Sequence, residues 1–482
     1  MKRNIFILIS LLLLATLAKG QMVVNIDTCR NLAVKNSKEM LIARKQHEKA
    51  QYVKKEQQSN YFPKFSASGT YMYTDLKQDI SIEDTYFPTS NFNPSTGQLE
   101  TNLALDPTGN PIMDEAGNPV FNTYAFIPAG NIGYNMNNTI YASVGADQPI
   151  YTGGKISAAN KMAEVGMDLS ELNIEDRRQA VIVEADKTYW TYVSVLDQIK
   201  VARKYLSLLD SLTTMVSNSV DAGLTHRNEL LKVQVKRNEV QLQYDDAVNA
   251  EELLRMSLCR IMGIDLLTQL SVADTIIDIH GAFILDSDYS SIQNRTDYQM
   301  LQKNIDLKKH NEKLIRADFL PQVGVRASYD YLKAFEIDNA SASYGISNGY
   351  VFDGGNFSFM ATVSIPLFQW GEGKNKIKQA KIDTEIAKAE FDKYDKLMHL
   401  ELIQARQSLN QAYNRYNAAN KNLEQAEENM KISKDTYEAG MELLTDYLDA
   451  QAQWQTAYAD FIKSKTDYKI ARTIYSKAIG EL

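Results

Sequence analysis

The chain has only two cysteines in 482 residues, Cys29 and Cys259. That is too few for a disulfide framework, although an exported chain could oxidise them, so both paired and free thiols fit the sequence. All ten prolines lie in two windows, Pro63 to Pro149 and Pro321 to Pro366, and none falls in 150–320 or 367–482. Proline removes a helix donor and clashes with the preceding turn, so the proline-free stretches are free to run as very long helices. Beyond the first residues no apolar stretch approaches the ~20 residues a helical membrane span requires, and any passage through a bilayer must be made of strands. The formal charge of -8 supplies no uncompensated basic surface of the kind that nucleic acid needs.

The apolar run Ile5 to Ala15 follows Met1-Lys2-Arg3 and precedes Ala18-Lys19-Gly20, which predicts a secretory signal over 1–20. A transmembrane anchor is the competing reading, but the run is too short to span. No cysteine stands at the expected cleavage point to carry a lipid. Loss of Lys2, Arg3 and Lys19 would take the charge from -8 to -11.

The prolines also expose a duplication. Asn36 and Pro63 recur as Asn294 and Pro321 at a shift of 258, while Pro149 and Gly223 recur as Pro366 and Gly440 at a shift of 217. The 41-residue difference is extra loop in the first copy. Tyr61-Phe62-Pro63 answers Phe319-Leu320-Pro321, and Asp221-Ala222-Gly223-Leu224 answers Glu438-Ala439-Gly440-Met441. Each copy reads helix, strand, strand, long helix, glycine turn, helix.

The proline windows alternate with the period of two expected of strands with unlike faces. Val323, Val325, Ala327, Tyr329 and Tyr331 share one face, and Gly324, Arg326, Ser328 and Asp330 the other. Phe357, Phe359, Ala361 and Val363 oppose Ser358, Met360 and Thr362; the first copy repeats this with Phe65, Ala67, Tyr71 and Tyr73, then Ile140, Ala142, Val144 and Ala146. Each run has about the 9 to 11 residues that cross a bilayer when tilted, with aromatics toward the ends. A four-stranded sheet packed on its own helices would alternate in the same way. Four strands cannot close a membrane barrel, so lipid-facing strands would require several protomers to share one.

Between these windows two heptad seams run unbroken. One is Val181, Ala185, Thr188, Tyr192, Val195, Ile199, Ala202, Leu206, Leu209, Thr213, Val216, Val220; the other is Met398, Leu402, Ala405, Leu409, Ala412, Tyr416, Ala419, Leu423, Ala426, Met430, Ser433, Tyr437. Steps of four and three predict coiled-coil packing. From Lys374 to Tyr437 the rise is on the order of 100 Å at ~1.5 Å per residue. Gly223 and Gly440 would end these helices by adopting positive φ.

Signals for catalysis are weak. Gly371-Glu372-Gly373-Lys374 follows a strand and opens a helix, but Phe368 and Asn375 break the phosphate-loop pattern, as Ile156 does after Gly154-Lys155. The histidines at 47, 226, 280, 310 and 399 have no ligand spacing. No nucleophile motif is present. The residues point to no enzyme, cofactor or metal.

Leu320-Pro321-Gln322 at a helix-to-strand junction, Pro366-Leu367-Phe368 at a strand-to-helix junction, and Ala439-Gly440 followed by Tyr447-Leu448-Asp449-Ala450 are the residues by which the chain resembles the TolC family of outer-membrane efflux proteins, over 22–482. The resemblance implies a mainly α fold with a β-barrel part. Two tandem repeats each carry long coiled-coil helices and a two-stranded membrane hairpin, and a homotrimer forms a 12-stranded barrel on a helical tunnel. On that basis 21–263 is the first repeat, with strands about 64–74 and 139–149, a helix about 155–221, a tip at 222–224 and a return helix to about 263. An equatorial connection follows at 264–290. The second repeat is 291–482, with strands about 322–332 and 356–366, a helix about 374–438 and a tip at 439–441.

The resemblance further implies an outer-membrane location in a Gram-negative bacterium, extending into the periplasm, with outer-membrane lipid, a periplasmic adaptor (membrane fusion protein) and an inner-membrane pump as partners and no nucleic acid. Asp446 and Asp449 match the aspartates that narrow the family's tunnel, and their three-residue spacing puts both on one helix face. Solvated acids favoured by the helix dipole are the plain alternative. Arg227, Asn228, Glu229, Tyr437 and Glu442 are the candidates for closing the tip. Family members have an arginine where Glu442 stands, so the usual closing ion pair cannot form, and Arg227 is a possible substitute. Ala222, Gly223, Leu224, Ala439, Gly440 and Met441 match the places where the adaptor docks.

The expected function is a passive exit duct for small molecules or drugs in a tripartite efflux pump. A type I secretion duct for peptides or proteins uses the same architecture, and a periplasmic coiled-coil structural protein would account for the heptads alone. The loop 74–138 is expected outside the cell, where long barrel loops are found.

Overall fold

The computed structural model describes residues 22–274, 277, 279, 289–339 and 347–482. The expected leader at 1–20, and His280, Asp278, Gly281, Asp286 and Asp288 of the connecting segment, lie outside the described residues. The chain divides into two compact units: a helical one (residues up to Gln57, Ser157–Arg316 and Gly371–Leu482) and a stranded one (Gln58–Ile156 and Ala317–Trp370).

The helical unit contains α1 (Ile26–Asn36), α2 (Lys38–Ser59), α3 (Lys155–Asp221), α4 (Arg227–Met262), α5 (Thr296–Ala317), α6 (Glu372–Glu438) and α7 (Leu444–Ala478). Asn25 caps α1 by accepting the Thr28 amide at 2.8 Å, which satisfies one of the donors that a helix start leaves free. The helices α3 and α6 have 67 residues each. At ~1.5 Å per residue each is about 100 Å long, and a helix of that length is held by packing rather than by propensity. None of the twelve seam positions in either helix is exposed. Seven of the twelve are buried in each helix, and each fully buried leucine among them contributes roughly 2 kcal/mol.

Against the middle of α3, β1 (Met22–Val24) pairs in parallel with β10 (Leu270–Val272), in register Met22 to Leu270. The connecting segment thus carries a strand. Cys29 and Cys259 lie buried and free in the core beside this pair, with Tyr189, Leu258 and Met262. Asp186 is buried there too. Its carboxylate accepts Arg30 Nε at 2.6 Å, Arg30 Nη2 at 2.5 Å and Thr473 Oγ1 at 2.6 Å, so one charge ties α1, α3 and α7 together.

In the stranded unit, β2 (Lys64–Tyr73), β9 (Asn138–Thr152), β11 (Gln322–Asn339) and β12 (Gly349–Ser364) lie side by side in the order β2-β9-β11-β12, all antiparallel. The second-copy strands run longer than the expected 322–332 and 356–366. The reason is pairing: β11 and β12 stay in register out to Ile337 and Gly349, and β11 gains β8 (Gly130–Asn135) as a further neighbour. The span 74–138, expected as a long loop, holds β8 and five more strands, β3 (Lys77–Ile82), β4 (Thr85–Pro88), β5 (Ser90–Asn93), β6 (Gln98–Thr101) and β7 (Tyr124–Ile127). They pair as β3-β8, β4-β7 and β5-β6. Gly153 closes the sheet with φ of 63° where a Cβ would sit 2.7 Å from the Ala317 carbonyl oxygen, so no other residue fits that junction.

Candidate functional site

The four central strands carry two unlike faces. Cross-strand rows such as Phe65, Ala146, Ala327, Phe359 and Ala67, Val144, Tyr329, Phe357 are apolar from edge to edge. Phe65 and Phe359 are more than four-fifths exposed. Phe368 and Trp370 pack edge to face, 4.9 Å apart, just after β12. Exposed apolar area of this extent marks a surface covered by lipid or by another chain.

The opposite rows are polar. Arg326 donates to both carboxylate oxygens of Asp147 at 3.3 Å, in the row that also holds Lys64. Asp330 accepts four hydroxyls: Ser143 at 2.6 Å, Tyr141 at 2.9 Å, Ser328 at 2.8 Å and Ser358 at 3.0 Å. These come from β9, β11 and β12, so one carboxylate pins the register of three strands. Alternation in the sequence puts Asp330 on the polar face, but the cross-strand partners could not be read before the register was known. Among the described residues β2 pairs only with β9 and β12 only with β11, which leaves an open edge on each side of the central strands.

In the helical unit the two glycine turns have the same hydrogen-bond pattern. After α3, the Leu224 amide reaches Ser219 O at 2.9 Å and the Gly223 amide reaches Val220 O at 3.0 Å; after α6, the Met441 amide reaches Thr436 O and the Gly440 amide Tyr437 O, both at 2.9 Å. Gly440 has φ of 73°, which a side chain would resist. Ala222, Gly223, Leu224, Ala439, Gly440 and Met441 are all exposed, Leu224 at 80% and Met441 at 77%. Behind them Val216, Val233, Leu444, Tyr447 and Trp454 form one core, which brings the two helix pairs together at this end.

The closure candidates divide. Glu442 belongs to its own turn: Ser433 Oγ donates to it at 2.7 Å and Thr436 Oγ1 donates as well. These bonds hold its carboxyl below the usual range. Ser433 and Thr436 were not visible as partners because they lie nine and six residues back, across a turn. Tyr437 stacks on Tyr447 with centroids 5.4 Å apart. Burial and the charge of Glu229 raise its phenol. Glu229 itself pairs with Lys232 at 2.9 Å, while Arg227 and Asn228 are exposed.

Asp446 and Asp449 are both exposed and lie on the side of α7 away from buried Leu444, Tyr447, Ala450 and Trp454. Asp446 is in the first turn of α7, where the helix dipole favours a carboxylate. Asp449 lines a groove of about 670 Å³ between α6 and α7 that also holds Arg415, Gln453 and Asp460. The exposed side of α7 continues this polar stripe through Thr456 and Asp460.

Two helix pairs of this length, joined by like turns, together with a separate two-faced sheet, define a class of outer-membrane channel protein. The family described as "Outer membrane efflux protein" matches residues 115–263 and 289–481, and the chain belongs to that family. The alkaline protease secretion protein AprF of Pseudomonas aeruginosa is 23% identical over 317 residues, which are 63% of this chain and 62% of AprF. Three solved structures share the fold. The Campylobacter jejuni CmeC outer membrane channel superposes with a TM-score of 0.69 at 18% identity, covering 95% of this chain and 85% of CmeC. The outer-membrane channel OprN gives 0.71 at 12%, covering 95% and 90%. The open-state MtrE outer membrane channel of Neisseria gonorrhoeae gives 0.68 at 14%, covering 94% and 88%.

Proposed function

We propose that three copies of this chain close a twelve-stranded barrel in the outer membrane, β12 of one protomer pairing with β2 of the next. The observation that carries this is the pair of open edges on a sheet whose exposed face is apolar across all four strands. Inside hydrocarbon an unpaired edge leaves backbone groups without partners, and closure removes the edge. Four strands are too few for a barrel alone, whereas twelve fall among known sizes. The long helices of the three copies line a tunnel, with Asp446 and Asp449 ringing its narrow end.

In this reading the protein is the passive exit duct of a tripartite efflux pump for small molecules. The free energy for transport is supplied by the pump. The exposed tips Ala222 to Leu224 and Ala439 to Met441 receive a periplasmic adaptor, which links the duct to an inner-membrane pump. Detergent extracts of outer membranes should contain a trimer that falls to monomer only on heating and that conducts in planar bilayers. A water-soluble monomer that needs no detergent would overturn the proposal. The similarity to AprF supports a second reading, a duct for secreted polypeptide. The two are separated by deleting the gene and asking whether drug tolerance or an extracellular protein is lost.

A further inference from the structure

We propose that residues 74–138 form a docking surface for a basic polypeptide at the cell exterior. The inference rests on the membrane topology proposed above. Between Lys77 and Lys155 the chain has no lysine or arginine, and within 74–138 eight carboxylates face the single Lys77. It is the longest such stretch of the chain; elsewhere on the helices acids and bases pair at i,i+3 and i,i+4.

The carboxylates divide into two groups. Asp84, Glu100, Asp106 and Asp114 are engaged by local hydrogen bonds: Asp84 accepts the Ala129 amide, Glu100 accepts Asn93, and Asp106 and Asp114 accept the amides of Asn110 and Asn118. Asp75, Asp79, Glu83 and Glu115 are exposed. With them the short ribbon β4-β7 and the hairpin β5-β6 expose Tyr86, Phe87, Phe92, Tyr124 and Phe126. Tyr86 and Phe126 pack on each other, 5.0 Å between centroids, but their outer surfaces are open.

Exposed apolar area of this kind calls for a cover. Neither another copy of the same segment nor an anionic lipid headgroup supplies the opposite charge. A basic polypeptide with apolar side chains satisfies both features, with its ammonium or guanidinium groups on the carboxylates and over the ring faces.

The test uses the full-length protein in neutral-lipid nanodiscs with three probes: a lysine-leucine amphipathic peptide, its glutamate-leucine counterpart, and Mg²⁺ alone. The lysine peptide should bind, and its affinity should fall about tenfold between low and physiological salt. The combined change Asp75→Asn, Asp79→Asn, Glu83→Gln, Glu115→Gln should weaken it about tenfold, and Phe87→Ser with Phe92→Ser by a similar factor. Equal binding of both peptides, no loss in either variant, or a surface that responds to Mg²⁺ but not to the lysine peptide overturns the proposal. Chymotrypsin on intact cells checks the topology separately, since trypsin has no site between Lys77 and Lys155. Cutting within 74–138 without peptide binding sinks the docking surface alone, whereas protection until the outer membrane is breached sinks the topology on which it rests.

Discussion

Arg30 and Asp186 meet as a two-bond ion pair in which the aspartate side chain is 1% exposed and the arginine side chain 35%. The partners are therefore unequal. Arg30→Ala strands a buried charge with Thr473 as its one remaining hydrogen-bond donor among the described residues, at a cost of about 3 kcal/mol. Asp186→Ala frees an arginine that water and Asp27 can reach, at a cost of roughly 1 kcal/mol. Denaturant midpoints of the two variants should differ in that order.

Cys29 and Cys259 are expected to be unreactive in the folded protein. Burial, with the charge of Asp186 in support, pushes the Cys29 thiol up to about 12, and burial raises Cys259 as well. The thiolate is the reactive form. At pH 8 a maleimide should label neither residue until denaturant is added, and a reductant should not shift the unfolding midpoint.

Replacing Asp446 and Asp449 together with Asn tests their place at the narrow end. In a trimer the change removes six charges, and the concentration of a multivalent cation needed for half block from the periplasmic side should rise about tenfold or more. Unchanged block and cation preference in an intact trimer would remove both residues from the aperture.

Glu442 predicts acid sensitivity at the second tip. Its folded-state value is held down by Ser433 and Thr436. The contribution is therefore fully present above the ordinary glutamate value of about 4.3 and is lost as pH falls through the lower folded value. Channel leak through the wild-type tip should rise in that acid window. Glu442→Ala should show the raised leak already at pH 7 and lose the acid step, and a pH response unchanged in the variant would assign the step elsewhere.

Much of this architecture was legible in residue order. The heptad seams through Leu206 and Leu402, the alternation through Tyr329 and Phe359, and the glycines at 223 and 440 each follow from periodicity or from a backbone conformation that one residue tolerates. Such local rules extend along an element but not between elements. The strands inside 74–138 escaped them because they are only four to six residues long and are broken by closely spaced turns, such as Asp-Pro-Thr-Gly-Asn and Asp-Glu-Ala-Gly-Asn between β6 and β7, so they are too short to show a period.

The sequence by itself thus determined the long helices, the four central strands and which face of each of those strands is apolar, because backbone geometry repeats at fixed intervals along the chain. Only the tertiary structure decided that Asp330 gathers hydroxyls from three strands, that Asp186 binds Arg30 and Thr473, and that Glu442 folds back onto Ser433. Those partners lie up to 287 residues apart. Register and helix packing bring them within a hydrogen bond, and many competing pairings would satisfy the same local pattern.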